Sequence, residues 1–179
     1  DPSHFGDQPT NRGHQAQSSK RGAMKFYVPC VPPKATAQQV SIMKRRDGTQ
    51  FVGKKHGSNA DKAQKSLFAM FYPFRPDEPL TGPLRLSIDF VWPWRSSESK
   101  RNRAIGYKFS EKRPDADNLA KMTTDCLMQS GFFADDSLVA SLHVTKGWGG
   151  KHGIFIGIEE LDEEAVTATL FEHNENYNK

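Results

Sequence analysis

The segment from Leu84 to Trp92, LRLSIDFVW, places Leu84, Leu86, Ile88 and Phe90 on one side of an extended chain, with Arg85, Ser87 and Asp89 on the other. Strand side chains alternate between faces, so this pattern predicts a half-buried strand, which Pro93 ends. A strand with one apolar face needs a second layer to cover it. Two segments carry helical spacing. One runs from about Ala60 to Phe71, with Ala63, Leu67 and Met70 three and four apart and Asn59 as its cap. The other runs from about Asn118 to Gln129, with Leu119, Met122 and Cys126 along one stripe and Asp117 or Asn118 as cap. Further strands are predicted at Met24–Cys30, Leu138–Lys146 and Gly153–Glu160. The turn GWGGKHG between the last two predicts a hairpin connection. The order strand, helix, strand, helix, strand, strand predicts an α+β fold, a small mixed or antiparallel sheet with helices packed on it.

The remaining stretches set the boundaries. Residues 1–23 contain one Phe and no apolar periodicity, and are read as a leader that is disordered or foreign to the domain. A single domain is expected over 24–170, followed by a polar tail at 171–179. Residues 34–57 read as a long basic loop, with a short strand at Gln50–Val52. The four prolines of YPFRPDEPLTGP force a connection, and residues 94–113 read as a basic linker. No run approaches the roughly 20 apolar residues of a membrane span, and nothing resembles a secretory signal. Cys30 and Cys126 form no disulfide framework or metal-like pair, so a cytoplasmic location without membrane contact is expected.

A net charge of +4 is modest, but the cations are clustered. Lys44, Arg45, Arg46, Lys54 and Lys55 fall in one segment; Arg101, Arg103, Lys108, Lys112 and Arg113 fall in a second. Lys146 and Lys151 flank the last turn. Clustered cations suit a phosphate backbone, although a solvated charged surface is the plain alternative. Trp92, Trp94, Tyr107 and Phe109 interleave with the second cluster. Trp92 is assigned to the core; Trp94 and Tyr107 suit packing and base stacking equally. None of the six histidines has zinc-site spacing; His143 reads as structural, and His152 beside Lys151 as turn or phosphate contact. No phosphate-cradling glycine loop occurs.

The chemistry concentrates in RPDADNLAKMTTDCL and GFFADDSLV. Asp115 and Asp117 stand two apart before a predicted helix, and in extended geometry both carboxylates face one point. Asp135 and Asp136 follow Gly131. If that loop folds back along the helix, Asp136 reaches the first two acids. Three convergent carboxylates are unfavourable without protonation or a cation, and oxygen-only ligands favour Mg²⁺, or Mn²⁺, over zinc. Asp115, Asp117, Asp135 and Asp136 are therefore the candidate metal ligands. Lys121 is a candidate for orienting the nucleophile or pairing with a phosphate. Helix capping and solvation are the competing reading of each aspartate alone.

This block resembles the signature of the RusA family of Holliday-junction resolvases, encoded largely by bacteriophages and prophages. Asp115, Asp117 and Asp136 match the family's catalytic acids, with Asn118 and Leu119 in the expected places. Lys121 matches its functional lysine, Asp125 its helix aspartate and Asp135 the neighbour of the third acid. FYVPCVPPK resembles the family's opening strand. The resemblance covers about residues 25–160, and Pro114 stands where some relatives carry a basic residue. It implies a homodimer that binds four-way DNA junctions and nicks two strands symmetrically with Mg²⁺ or Mn²⁺. Two rival readings remain: a non-catalytic branched-DNA-binding recombination accessory protein, and a nuclease for other branched or flapped DNA. The acids argue against the first, because aspartates repel phosphate unless a metal mediates.

Overall fold

The computed structural model describes residues 23–36, 41–53 and 57–161. In chain order the elements are β1 (Ala23–Val28), β2 (Ser41–Lys44), β3 (Gln50–Gly53), α1 (Asn59–Phe71), β4 (Leu84–Pro93), α2 (Lys100–Ile105), β5 (Tyr107–Phe109), α3 (Ala116–Gln129), β6 (Val139–Gly149) and β7 (Gly153–Glu160). Single 3-10 turns occupy Tyr72–Phe74 and Asp136–Leu138.

The apolar face of β4 decides the architecture. Leu84, Leu86, Ile88 and Phe90 are fully buried, as the alternation predicts, and β4 sits in the middle of a five-stranded sheet of order β1-β7-β4-β6-β5. It pairs parallel with β6 and antiparallel with β7, and the sheet is mixed with helices packed on it. Leu67 and Phe71 from α1, and Leu119, Met122, Cys126 and Leu127 from α3, cover the face also formed by Phe26, Val28, Ile154, Ile156 and Ile158. Each large side chain so buried contributes about 1.5–3 kcal/mol of transfer free energy. Phe26 stacks on Phe74 and Phe132, joining β1 to the turn after α1 and the loop after α3.

Several expectations need correction. β6 and β7 do not form a hairpin, because β4 lies between them. The glycine-rich turn instead steps across β4, two strand spacings or about 10 Å, which the four peptide units from Gly149 to Gly153 can span. This placement leaves both edges of β4 hydrogen-bonded. The predicted loop at 34–57 contains the β2–β3 hairpin, closed by a turn in which Gly48 (φ 87°) takes the left-handed conformation. The predicted linker at 94–113 contains α2 and β5. Ser58, not Asn59, caps α1, its hydroxyl accepting from the Asp61 amide at 3.2 Å. α3 begins at Ala116, so Asp115 is its N-cap rather than Asp117 or Asn118.

Trp92 is a core residue, 3% exposed, and its indole N–H donates to the Pro32 carbonyl at 2.9 Å. Trp92→Phe leaves that buried carbonyl unpaired and is expected to cost about 1–3 kcal/mol, read from urea unfolding. Cys30 and Cys126 are unpaired, and burial pushes the Cys126 thiol up to about 12, with the Asp125 charge adding to the effect. That thiol stays protonated near neutrality. Among the described residues no helix is long and apolar enough to cross a membrane. Of the expected leader at 1–23, Ala23 instead opens β1; residues 1–22, and the stretch from 162 through the polar tail, lie outside the described residues.

Candidate active site

The approach to α3 is fixed by β6. The Ser110 amide donates to the Lys146 carbonyl at 2.9 Å, continuing the β5–β6 ladder. The Lys146 ammonium donates to the carbonyls of Lys112 (2.8 Å) and Pro114 (2.9 Å). Lys146, expected as a phosphate contact, is thus engaged in holding the backbone that presents Asp115.

Asp115 has extended backbone (φ −72°, ψ 148°), and its carbonyl accepts the Leu119 amide at 3.1 Å. An N-cap aspartate ordinarily accepts an amide of the first turn with its carboxylate. Here the carboxylate makes no such bond, and Asp115 is exposed. Asp117 is also exposed and lies in the first helical turn, not in extended chain as expected. Two negative side chains thus share the positive end of the helix dipole, which offsets part of their repulsion. Lys121, one turn further, is exposed and pairs with Asp125 at 3.6 Å. Surface pairs of this i,i+4 kind contribute about 0.3–0.5 kcal/mol, so a phosphate can compete for the lysine.

The acidic pair after Gly131 divides its labour. Asp135 caps the 3-10 turn: its carboxylate accepts the Ser137 amide at 2.8 Å, and bonds from Ser137 hold it below the usual carboxylate range. Asp136 is exposed; its carbonyl accepts the Val139 amide, but among the described residues its carboxylate has no hydrogen-bond or ion-pair partner. The loop that carries the pair is anchored by buried Phe132 and Phe133, and Leu80 bonds across it to Phe132 and Ala134.

That loop does not fold back along α3. β6 begins just after Asp136, and its residue Lys146 contacts Pro114 at the start of α3. Lys146 lies seven residue steps along the strand from Val139, on the order of 20 Å, and α3 is about 21 Å long. Asp136 therefore lies toward the opposite end of α3 from Asp115 and Asp117. Among the described residues no three His, Cys, Asp or Glu side chains gather closely enough to hold a metal ion.

The expected cations divide in the same way. Lys44, Arg46, Arg101, Lys112 and Arg113 are exposed, and their charges have no partner among the described residues. Arg45 lies over the Phe51 ring at 5.2 Å, and Lys151 over Tyr27 at 4.7 Å. Arg103 donates to the Arg95 carbonyl at 2.7 Å and the Glu98 carbonyl at 3.3 Å, and Lys108 pairs with Glu98 at 3.3 Å. Lys54 and Lys55 fall outside the described residues. His143 is exposed on β6, and the His152 carbonyl accepts the Tyr27 hydroxyl at 2.6 Å.

Sequence reasoning missed the organising role of Glu98. It binds the Asn102 amide group and Lys108, while Ser99 caps α2 through the Asn102 amide at 3.1 Å. The signal available was a serine followed three residues later by asparagine. Foremost the Asn102 bond, and then Lys108, hold the Glu98 carboxyl below the usual range. A depressed carboxylate contributes stability above its unfolded pKa and loses it as pH falls through the folded value. The α2–β5 segment is therefore expected to loosen on acidification below about pH 4, seen as faster amide exchange at residues 100–109. Glu98→Gln should remove that pH dependence.

Compared with protein-family descriptions, residues 30–159 match the family described as endodeoxyribonuclease RusA. The chain belongs to that family. The match runs from the residues after β1 to near the end of β7, so it takes in the other four strands of the five-stranded sheet, α3 and all four candidate acids. A RusA-family chain is an endonuclease of the Holliday-junction-resolving kind, which binds branched DNA. Compared with curated proteins, it finds no significant match.

Proposed function

We propose that this RusA-family protein resolves four-way DNA junctions as a homodimer, hydrolysing phosphodiesters in two matching strands with the help of Mg²⁺ or Mn²⁺. The observation that carries the reading is the start of α3, where two exposed carboxylates, one on an N-cap whose side chain caps nothing, follow backbone braced by Lys146, next to Lys112 and Arg113, whose charges have no partner among the described residues. Oxygen donors free of internal bonds fit a hard divalent ion. Asp115, Asp117 and Asp136 would hold it, with Asp135 fixing the turn beside Asp136. When bound, such an ion lowers the pKa of a water and screens charge at the scissile phosphate. Lys121 exchanges Asp125 for the phosphate and orients it; Arg101, Lys112 and Arg113 hold the flanking backbone.

The separation of Asp136 from Asp115 and Asp117 within one chain supports a site shared between two. β5 pairs with β6 only at Gly147–Gly149, and lower on the strand Leu142 is 51% exposed. Antiparallel pairing of that stretch with a second copy, about a twofold axis near Leu142, carries Asp136 of one protomer toward Lys146 and Pro114 of its partner. Each site then takes two acids from one chain and one from the other. Two such sites, related by the axis, face matching strands of a junction.

The test is cleavage of an end-labelled four-way junction beside a linear duplex of the same sequence, in Mg²⁺ and in EDTA. Paired symmetric nicks confined to the junction and lost in EDTA are expected. Tight junction binding with no cut in Mg²⁺ or Mn²⁺ would overturn the reading in favour of an accessory protein.

A further inference from the structure

The segment between β4 and α3 presents an apolar surface that its own fold does not use. Phe109 at the end of β5 is 70% exposed, and Ile105 at the end of α2 is 67% exposed. Exposed large apolar side chains are unremarkable singly, but these two lie in one short, tightly braced strap. Ser99 caps α2 at one end, and Gly106 (φ 89°) terminates it in the left-handed conformation at the other. Glu98 clamps Asn102 and Lys108, and Arg103 ties the helix to the Arg95 and Glu98 carbonyls.

The support behind Phe109 is equally specific. Its ring meets that of Tyr107 edge-on at 5.2 Å. Tyr107 in turn lies directly on Gly147 of β6, where an added Cβ would stand 2.3 Å from the Tyr107 ring. The glycine is what lets an aromatic ring rest on the strand backbone and brace its neighbour. Phe109 is six residues before Asp115, under about 20 Å of chain, or some six base pairs of duplex. Arg101, exposed and with no charge partner among the described residues, precedes it; Lys112 and Arg113 follow it.

We infer that Phe109, four residues after exposed Ile105 in the same strap, is a wedge that enters the opened base stack at the branch of the DNA substrate. The inference rests on the proposed junction-resolving activity. Apolar side chains inserted between base steps unstack them, and a rigid base keeps such a side chain from folding back onto the protein. The surrounding cations select a polyanion over a second copy of this face, since a twofold contact would set like charges against each other. A branch offers bases already partly unstacked, so the cost of insertion is lower there than in continuous duplex. The wedge thereby discriminates for branched DNA at a point separate from the acids.

The experiment uses a four-way junction carrying 2-aminopurine at the branch, bound in Ca²⁺ so that binding is read without cutting. The full chain is expected to raise the fluorescence severalfold. Phe109→Ala should abolish that rise and weaken junction binding about tenfold or more, leaving linear-duplex binding unchanged, while Phe109→Trp keeps the rise. An undiminished rise with Phe109→Ala would overturn the inference, as would a Phe109→Ala protein of altered mass by light scattering, which would place a second copy on this face. Cleavage in Mg²⁺ reports separately on the parent reading: a chain that cuts the junction without unstacking 2-aminopurine overturns the wedge alone. A chain that unstacks it but never cuts supports the wedge and overturns the nuclease.

Discussion

Asp117→Asn is expected to slow junction cleavage by about 10³-fold or more while leaving junction binding intact or tighter. The substitution preserves shape and removes one negative charge from an exposed position in the first turn of α3. Loss of a metal-holding carboxylate forfeits several kcal/mol of transition-state stabilisation, and each 1.36 kcal/mol is a factor of ten. Binding has no reason to weaken, because the lost charge repels the phosphate backbone when no metal is held. Single-turnover cleavage in Mg²⁺, beside a binding titration in Ca²⁺, separates the two effects. A decrease of less than tenfold would remove Asp117 from the site. Asp135→Asn is the informative contrast. Asn caps nearly as well as Asp, so the Ser137 contact survives and the decrease should be far smaller.

The second large effect is all-or-none. If each site draws Asp115 and Asp117 from one protomer and Asp136 from its partner, Asp117→Asn and Asp136→Asn homodimers are both inactive. In a mixed dimer of the two variants, one site collects both lesions and the other collects neither. Co-refolded or co-expressed protein is then expected to nick one strand of each junction, at about a quarter of the wild-type rate, because about half of the dimers are mixed and each of these has one intact site in two. A site built within a single chain gives the opposite result, since every site in the mixed dimer would carry one lesion and no cleavage would return. The experiment therefore decides a question that the far-end position of Asp136 raises.

Much of the sheet was legible because its physics is local. The alternation from Leu84 to Phe90 appears in the structure as a run of fully buried side chains, and Gly153–Glu160 was predicted with its observed bounds. What local pattern could not disclose was adjacency. GWGGKHG has the composition of a hairpin turn, yet the partners of β6 and β7 are set by the need of β4 to bond along both edges. The α2–β5 strap escaped for a different reason. Its six-residue helix has no buried residue, so no apolar stripe announces it, and it is held by Glu98 and Arg103 instead.

The acids show the same division. That Asp115 and Asp117 stand together at one end of a helix follows from their spacing. Which of Asp135 and Asp136 is spent on a turn depends on the Ser137 amide, and spacing cannot assign it. The basic residues were the least legible. Lys146 and Arg103 look like Lys112 and Arg113 in a sequence, but the first two hold backbone carbonyls while the others have no partner among the described residues.

The pairing of β1 with β7 has a consequence during synthesis. The first strand of the sheet, Ala23–Val28, hydrogen-bonds along its length to Gly153–Glu160 and to no other strand of the sheet. While the nascent chain is on the ribosome, β1 therefore waits for more than a hundred further residues before its partner is made. At about 5–20 residues per second, that interval is several seconds or more. Phe26 and Val28, both core residues, remain without their native cover for that time. A stop codon placed before Gly153 would leave the strand permanently without its partner, and the released fragments should partition to chaperones or to the insoluble fraction.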